Sequence, residues 1–348
     1  MRRLIAILAL AALTAACGQK TSTTGAASPA GESQLSGAGA TFPAPLYQQW
    51  AEGYRQASGV RVSYQGIGSG GGIKQIKAGT IDFGGTDKPL PADELDKAGL
   101  LQFPAVLGGV SPVVNVPGIA ANQLTLSGPE LADIYAGVIK LWDDPRLVAD
   151  NPGVKLPHLP ISVVHRSDGS GTTFLFTSYL ALVSPSWKAS PGASDSVAWP
   201  VGIGGKGNDG VSAFVRQTIG SIGYVEYAYA TRNSLAAVKM RNHAGQVIAP
   251  SAAAFAAAAA GADWKNAPGF HLLLLDQPDP AAWPIAGATF ILVRKDATAD
   301  QHRAVAKFFD WAFTNGDAAA GKLDYVPLPA PVKALVRASW ASEGLSLQ

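Results

Sequence analysis

The sequence contains one cysteine, Cys17, in 348 residues. No intrachain disulfide is available, so the fold must rest on its core. Charged residues are few, at 15%, against 47% hydrophobic. That balance excludes an intrinsically disordered chain. The 39 glycines and 24 prolines follow no repeat period, which excludes collagen. The first apolar run, LIAILALAAL at 4–13, is too short to span a bilayer as a stable helix. The five histidines and the lone cysteine form no cluster with metal-ligand spacing, so no metal and no cofactor is expected.

The run 4–13 follows the basic start Met1-Arg2-Arg3 and precedes TAAC, the layout of a secretory signal. Cys17 closes it and resembles the lipidated cysteine of a lipobox, although Thr14 stands where a large aliphatic residue is usual. The alternative is an ordinary signal cleaved nearby. The lipoprotein reading makes 1–16 the signal peptide, Cys17 the lipidation site, and 17–32 a flexible tether to a membrane. Loss of 1–16 removes Arg2 and Arg3, leaving 25 basic against 25 acidic residues. A near-neutral chain has no broad basic face for nucleic acid.

From Leu35 onward, short β-like runs alternate with helical patterns, which points to an α/β architecture. Strands are expected at 60–65, 80–85, 161–166 and 288–294, and a strand or a strand and turn at 220–230. A long β-rich run, LQFPAVLGGVSPVVNVPG at 101–118, is read as broken by glycine and proline. Helices are expected at 72–79, 129–137, 172–183 and 302–316. The alanine-rich SAAAFAAAAAGADW at 251–264 is read as a surface helix without chemistry. Leu46, Trp50 and Tyr54, one turn apart, and Phe308, Phe309 and Trp311 are the core candidates.

Three stretches share one design: GAGATFPAPLYQQW (37–50), QGIGSGGGIKQI (65–76) and RSDGSGTTFLF (166–176). Each is a glycine-rich loop carrying a hydroxyl residue into a helix start. The first helical N–H groups lack intrahelical partners, and the helix dipole makes that end positive. Such ends accept anions. One such loop reads equally well as an ordinary capped helix. Three that converge would surround a small oxyanion with neutral donors.

Catalytic motifs fit less well. Neither Ser69 nor Ser170 satisfies G-x-S-x-G. His165 precedes Arg166 on a strand, so the two side chains would point to opposite faces. Gly66, Gly68 and Gly71 match a dinucleotide fingerprint, as do Gly202, Gly204 and Gly207, with Asp87 near the distance of a ribose-binding acid. The helix after the first match is too short for that use. GGKGND (204–209) has glycine where a P-loop needs Ser or Thr.

Two carboxylates stand near the proposed anion. Asp168 lies two residues from Arg166 and reads as a turn residue or as the partner of the guanidinium. Asp87 reads as a local cap, or as an acceptor for a protonated anion. Phosphate retains a proton near neutral pH and can donate it; sulfate cannot. A single carboxylate can therefore separate the two by repulsion.

GAGATFPAPLY, YQGIGSGGGIKQI, DFGGTDKPL, RSDGSGTTFLFTSYL, GGKGNDG and IGYVEYAYA together resemble the periplasmic phosphate-binding protein of the ABC phosphate importer. The resemblance runs in order from about residue 35 to 330. It implies a two-lobed periplasmic binding protein fold of type II, with two crossover strands and the ligand in the interlobe cleft. It implies one inorganic phosphate, an ABC permease with its transmembrane and ATPase subunits as partners, and a monomer in the periplasm. Carried over by motif, Thr41, Phe42, Ser69, Ser170, Gly171 and Thr172 would donate hydrogen bonds to the phosphate. Asp87 would accept its proton, Arg166 would be the cationic contact, and Asp168 would pair with Arg166. Gly70 and Thr86 depart from a pattern in which serine is common at both. With crossovers placed near 108–114 and 283–290, lobe one is expected at 33–110 and 286–348, and lobe two at 111–285. The competing readings are a phosphatase-like hydrolase and a binding protein for another oxyanion such as sulfate.

Overall fold

The computed structural model describes residues 34–345. The signal peptide, Cys17 and the whole 17–32 tether lie outside the described residues.

The chain opens with β1 (Gln34–Gly39), α1 (Ala44–Ser58), β2 (Arg61–Gly66), α2 (Ser69–Lys77), β3 (Phe83–Thr86) and α3 (Ala92–Ala98). The long β4 (Leu100–Asn115) follows, then β5 (Thr125–Leu126), α4 (Gly128–Tyr135) and α5 (Pro145–Asp150). Next come β6 (Ser162–Arg166), α6 (Gly171–Val183), α7 (Pro185–Ala189), β7 (Ile203–Gly205), α8 (Gly207–Gln217), β8 (Ser221–Glu226) and α9 (Tyr227–Arg232). After β9 (Ala236–Ala237), β10 (Lys239–Arg241), β11 (Val247–Ile248) and α10 (Ala252–Ala259), the chain returns through β12 (Ala286–Arg294). It ends in α11 (Ala299–Asn315), α12 (Asp317–Lys322) and α13 (Ala330–Ser342). The α/β class read from the sequence is the class observed.

The main sheet runs β2-β1-β3-β12-β4-β8-β6-β7, with β9 also paired to β4. Parallel pairs lie toward both ends, β1 with β2 and β3, and β6 with β7 and β8. The middle is antiparallel, because β12 pairs with both β3 and β4, and β4 with β8. Leu100–Gly109 of β4 pairs with β12, whereas Val110–Asn115 pairs with β8. One strand therefore belongs to both halves of the sheet.

The expected break in 101–118 is absent: β4 is continuous from Leu100 to Asn115. Pro104 survives because the register slips there. Opposite Thr289 and Phe290, the partner jumps from Val106 to Pro104, and such an irregularity tolerates a residue without an N–H. Gly109 sits where the strand changes partners and leaves room for an aromatic ring. A Cβ there would come within 2.1 Å of Phe255.

That ring also corrects the reading of the alanine tract. The helix α10 is more than a surface element: Ala254, Phe255, Ala258 and Ala259 form a buried face, while Ala253 and Ala256 stay exposed. Phe255 packs edge-on to Trp283 and Tyr227. The small alanines let the helix approach the sheet closely, and helix propensity alone does not report this. Other boundaries moved for local reasons. α2 begins at Ser69, three residues before the expected start, so the glycine-rich loop enters the helix itself. The 220–230 segment splits into β8 and α9, with Glu226 capping the helix by accepting from Ala228 N.

The aromatic candidates do form core. Leu46, Trp50, Tyr54, Phe308 and Phe309 are buried, and Trp311 is half-buried. Tyr54 meets Phe308 edge-on at 5.4 Å between centroids. We expect Phe255→Ala to cost about 3–5 kcal/mol in denaturant unfolding. A loss below about 1 kcal/mol would return α10 to the surface role.

Candidate functional site

The three glycine loops meet. The first lies between β1 and α1, where Thr41 and Phe42 are buried. Thr41 Oγ1 accepts from Asn208 Nδ2 at 2.8 Å and from Asn208 N at 3.2 Å. The carbonyl of Thr41 accepts from the Tyr229 hydroxyl at 2.7 Å, and that of Phe42 from the Tyr325 hydroxyl at 2.6 Å. The second and third loops touch each other directly. Ser69 Oγ accepts from Gly171 N at 3.0 Å and from Asp87 N at 3.2 Å, which leaves its own proton free to donate. Gly70 N donates to Gly169 O at 3.0 Å. Gly171 permits this approach: a Cβ there would stand 2.5 Å from Ser69 Oγ and 2.6 Å from Asp87 Cβ.

Arg166 ends β6 and is 3% exposed. Asp168 grips it with two hydrogen bonds, Nε to Oδ1 at 2.8 Å and Nη2 to Oδ2 at 2.6 Å. The N–H of Gly207, at the start of α8, donates to the same Oδ1 at 2.9 Å. Burial opposes ionisation of Asp168, but Arg166 and the Gly207 N–H hold its carboxyl below the usual range. The pair orients the guanidinium and leaves Nη1 buried without a partner among the described residues. Ser170 caps α6 by accepting from Thr173 N at 3.0 Å.

Asp87 follows β3 and is 1% exposed. Among the described residues, neither of its carboxylate oxygens has a hydrogen bond of full geometry, nor does the buried Thr172 Oγ1. Burial pushes Asp87 up to about 7 from an ordinary 3.8, against the lowering effects of the Thr289 hydroxyl, the Arg166 charge and the Thr172 hydroxyl. Buried polar atoms are almost always paired. Here an acceptor pair, a guanidinium nitrogen and a hydroxyl lack hydrogen bonds of full geometry among the described residues, all on residues nominated from the sequence. The set suits a small anion that both accepts hydrogen bonds and donates one.

The structure thus brings together all nine nominated residues, Thr41, Phe42, Ser69, Asp87, Arg166, Asp168, Ser170, Gly171 and Thr172, in one buried region. His165 stands outside it. Its ring stacks on Trp199 at 4.8 Å, and its Nδ1 contacts Arg166 O. Sequence reasoning missed Asn208, Thr289, Tyr229, Glu226 and Tyr325. Asn208 lies within the quoted GGKGNDG, so a signal existed. Thr289 sits in a run read only as a strand. A rim ion pair was also missed: Lys88 Nζ reaches Asp195 Oδ2 at 3.4 Å.

A family model described as the PBP superfamily domain matches residues 24–315. A phosphate-binding protein PstS from Xylella fastidiosa (strain 9a5c) is 52% identical over 311 residues, covering 89% of this chain and 85% of its own. This chain belongs to the PstS family of the PBP superfamily. PstS of Pasteurella multocida is likewise 52% identical, over 89% of this chain and 90% of its own. PstS of Methanocaldococcus jannaschii is 38% identical over 80% of this chain and 78% of its own. Among solved structures, a high affinity periplasmic phosphate-binding protein (PfluDING) bound with phosphate superposes with a TM-score of 0.69. It is 26% identical, and the match covers 90% of this chain and 96% of that one. The fold is therefore the two-lobed fold of this family.

The Asp87 environment predicts a pH dependence in the ligand-free PstS-family fold. A buried acid with a raised pKa holds its proton more tightly when folded. Its stabilising contribution is complete below the ordinary value of 3.8 and is lost as pH rises through about 7. Ligand-free Asp87→Asn should therefore gain on the wild type between about pH 4 and pH 8, by up to roughly 4 kcal/mol in denaturant unfolding. A stability difference that does not change over that range would remove Asp87 as the titrating group.

Proposed function

We propose that this chain binds inorganic phosphate between two lobes in the periplasm and delivers it to an ABC phosphate permease. The observation that carries the reading is the buried Asp87 carboxylate, without a hydrogen bond of full geometry among the described residues, beside Arg166 Nη1 and Thr172 Oγ1, which lack one too. Arg166, held by Asp168, supplies the charge. Thr41, Phe42, Ser69, Ser170, Gly171 and Thr172 supply neutral donors from helix ends, where the backbone already favours an anion. Asp87 accepts the proton that phosphate carries. A fully ionised oxyanion would set lone pairs against that carboxylate in a dry site, at a cost of several kcal/mol.

The lobes are taken as 33–110 with 286–348, and 111–285. The change of partner along β4 between Gly109 and Val110 supports the first boundary. Thr41, Ser69 and Asp87 then come from one lobe and Arg166 to Thr172 from the other, so ligand binding draws a hinge closed. The role is non-catalytic. Ser170 Oγ serves as a helix cap, and His165 is committed to Trp199 and its neighbouring carbonyl, which argues against a serine nucleophile with a histidine base. The protein works as a monomer, tethered through a lipid on Cys17.

Calorimetry at about pH 8, above the value of about 7 at which Asp87 ionises, tests the ligand. Phosphate should bind and equimolar sulfate should give no measurable heat. Asp87→Asn should narrow the gap between the two anions by about 2 kcal/mol or more, and by more than Arg166→Ala does. Sulfate binding as tight as phosphate would end the assignment. The anchor is tested by fractionation: Cys17→Ser should move the protein from the membrane to the soluble periplasmic fraction. An unchanged distribution between the fractions would refute lipidation at Cys17.

A further inference from the structure

Glu226 lies at the end of β8 with no exposed surface. Its Oε2 accepts from Ala228 N at 2.9 Å and lies 2.9 Å from the Tyr325 hydroxyl oxygen. That same hydroxyl is 2.6 Å from the carbonyl oxygen of Phe42. The protons in this chain can be counted. Phe42 O can only accept. A phenol has one proton, and at 2.6 Å from a carbonyl it donates there. The second short contact, between Tyr325 and Glu226 Oε2, then needs a proton of its own. Tyr325 has none left to give, because it carries only one. Nor is it ionised, since burial holds its phenol well above the ordinary value. A proton on Glu226 would supply it.

We propose that Glu226 is a neutral carboxylic acid and a positioning residue for the anion site, donating through Tyr325 to fasten the Phe42 loop to the end of β8. This rests on the phosphate-binding reading above for its functional meaning, but not for the protonation itself. The remaining oxygen, Oε1, is buried without a partner among the described residues. A carbonyl oxygen of a neutral acid tolerates that at far lower cost than half of a carboxylate does. Burial pushes the Glu226 carboxyl well above the usual range, against the lowering effects of the Ala228 N–H and the Tyr325 hydroxyl, and the charges of Asp87 and Asp324 add to the rise. Those two acids, with the phenols of Tyr325 and Tyr229, are the titratable groups facing it.

The consequence for the site is geometric. Two phenols hold the two consecutive carbonyls of the first loop, Tyr229 on Thr41 O and Tyr325 on Phe42 O. In a planar trans peptide, the N–H points opposite the C=O. Fixing Thr41 O therefore fixes the direction of the Phe42 N–H, one of the nominated donors. Glu226 completes the frame from the far side. Its backbone N–H donates to Asn208 Oδ1 at 3.0 Å, and Asn208 in turn donates to Thr41 Oγ1. Both ends of Glu226 thus lead back to the same loop.

Infrared spectroscopy of the full chain tests the proton, with and without inorganic phosphate. At about pH 8, far above the ordinary carboxyl range, the wild type should show a protonated-carboxyl band. Glu226→Gln should remove that band and Asp87→Asn should leave it. A spectrum unchanged by Glu226→Gln would overturn the proposal. Calorimetry with inorganic phosphate tests the positioning role. Tyr325→Phe should weaken binding by about tenfold, the loss of one buried hydrogen bond. Wild-type affinity should fall over the pH range in which the band disappears, and Glu226→Gln should lack that step. Tyr325→Phe binding as tightly as the wild type, with its amide spectrum intact, would reject the positioning role. A wild type that shows the band but binds no phosphate would defeat the phosphate reading alone.

Discussion

At Asp87, burial strips water from a carboxylate whose two oxygens find no partner of full geometry. Charge in such a place is costly, and the surrounding fold is arranged around that cost. Arg166 faces the same region with one nitrogen free, because Asp168 already engages the other side of the guanidinium. Opposite charges are therefore kept close without being allowed to neutralise one another completely. An anion carrying a single proton satisfies both. The same arrangement makes a fully ionised anion a poor guest, so selectivity and cost have one origin.

Holding that arrangement requires several backbone segments to approach closely, and the glycines allow it. Gly171 brings the third helix end against Ser69 and Asp87. The Ser69 hydroxyl then collects two backbone donors, one from each of two distant segments. Around this contact, Asn208, Tyr229, Glu226 and Tyr325 form a polar frame that binds the first loop to the end of β8 and the start of α8. Each member is buried, and such networks specify geometry only when their members are satisfied. A proton on Glu226 is what completes the Tyr325 branch.

Much of the site was legible in the sequence because helix ends carry local signatures. RSDGSGTTF contains charge, partner, cap and donors within nine consecutive residues, and all of these stay together in the fold. Asp87 was also legible, since a carboxylate beside an anion loop demands a chemical reason. The frame was not. Tyr325 lies 283 positions from Phe42, and Tyr229 lies 188 from Thr41; no local pattern joins such pairs. The alanine tract was misjudged for a related reason. Alanine reports helix propensity, while its burial depended on Gly109 of a strand far along the chain.

The sequence by itself determined which residues could bind an anion, because hydrogen-bonding capacity, helix-end polarity and glycine permissiveness are properties of short segments. It also determined the alternating α/β order. Only the tertiary structure decided which of those groups lost water and which kept partners. Burial sets the protonation of Asp87 and Glu226, and burial is a property of the packed molecule. The pairing of β4 first with β12 and then with β8 was decided there too, since a strand's neighbours are chosen by long-range packing.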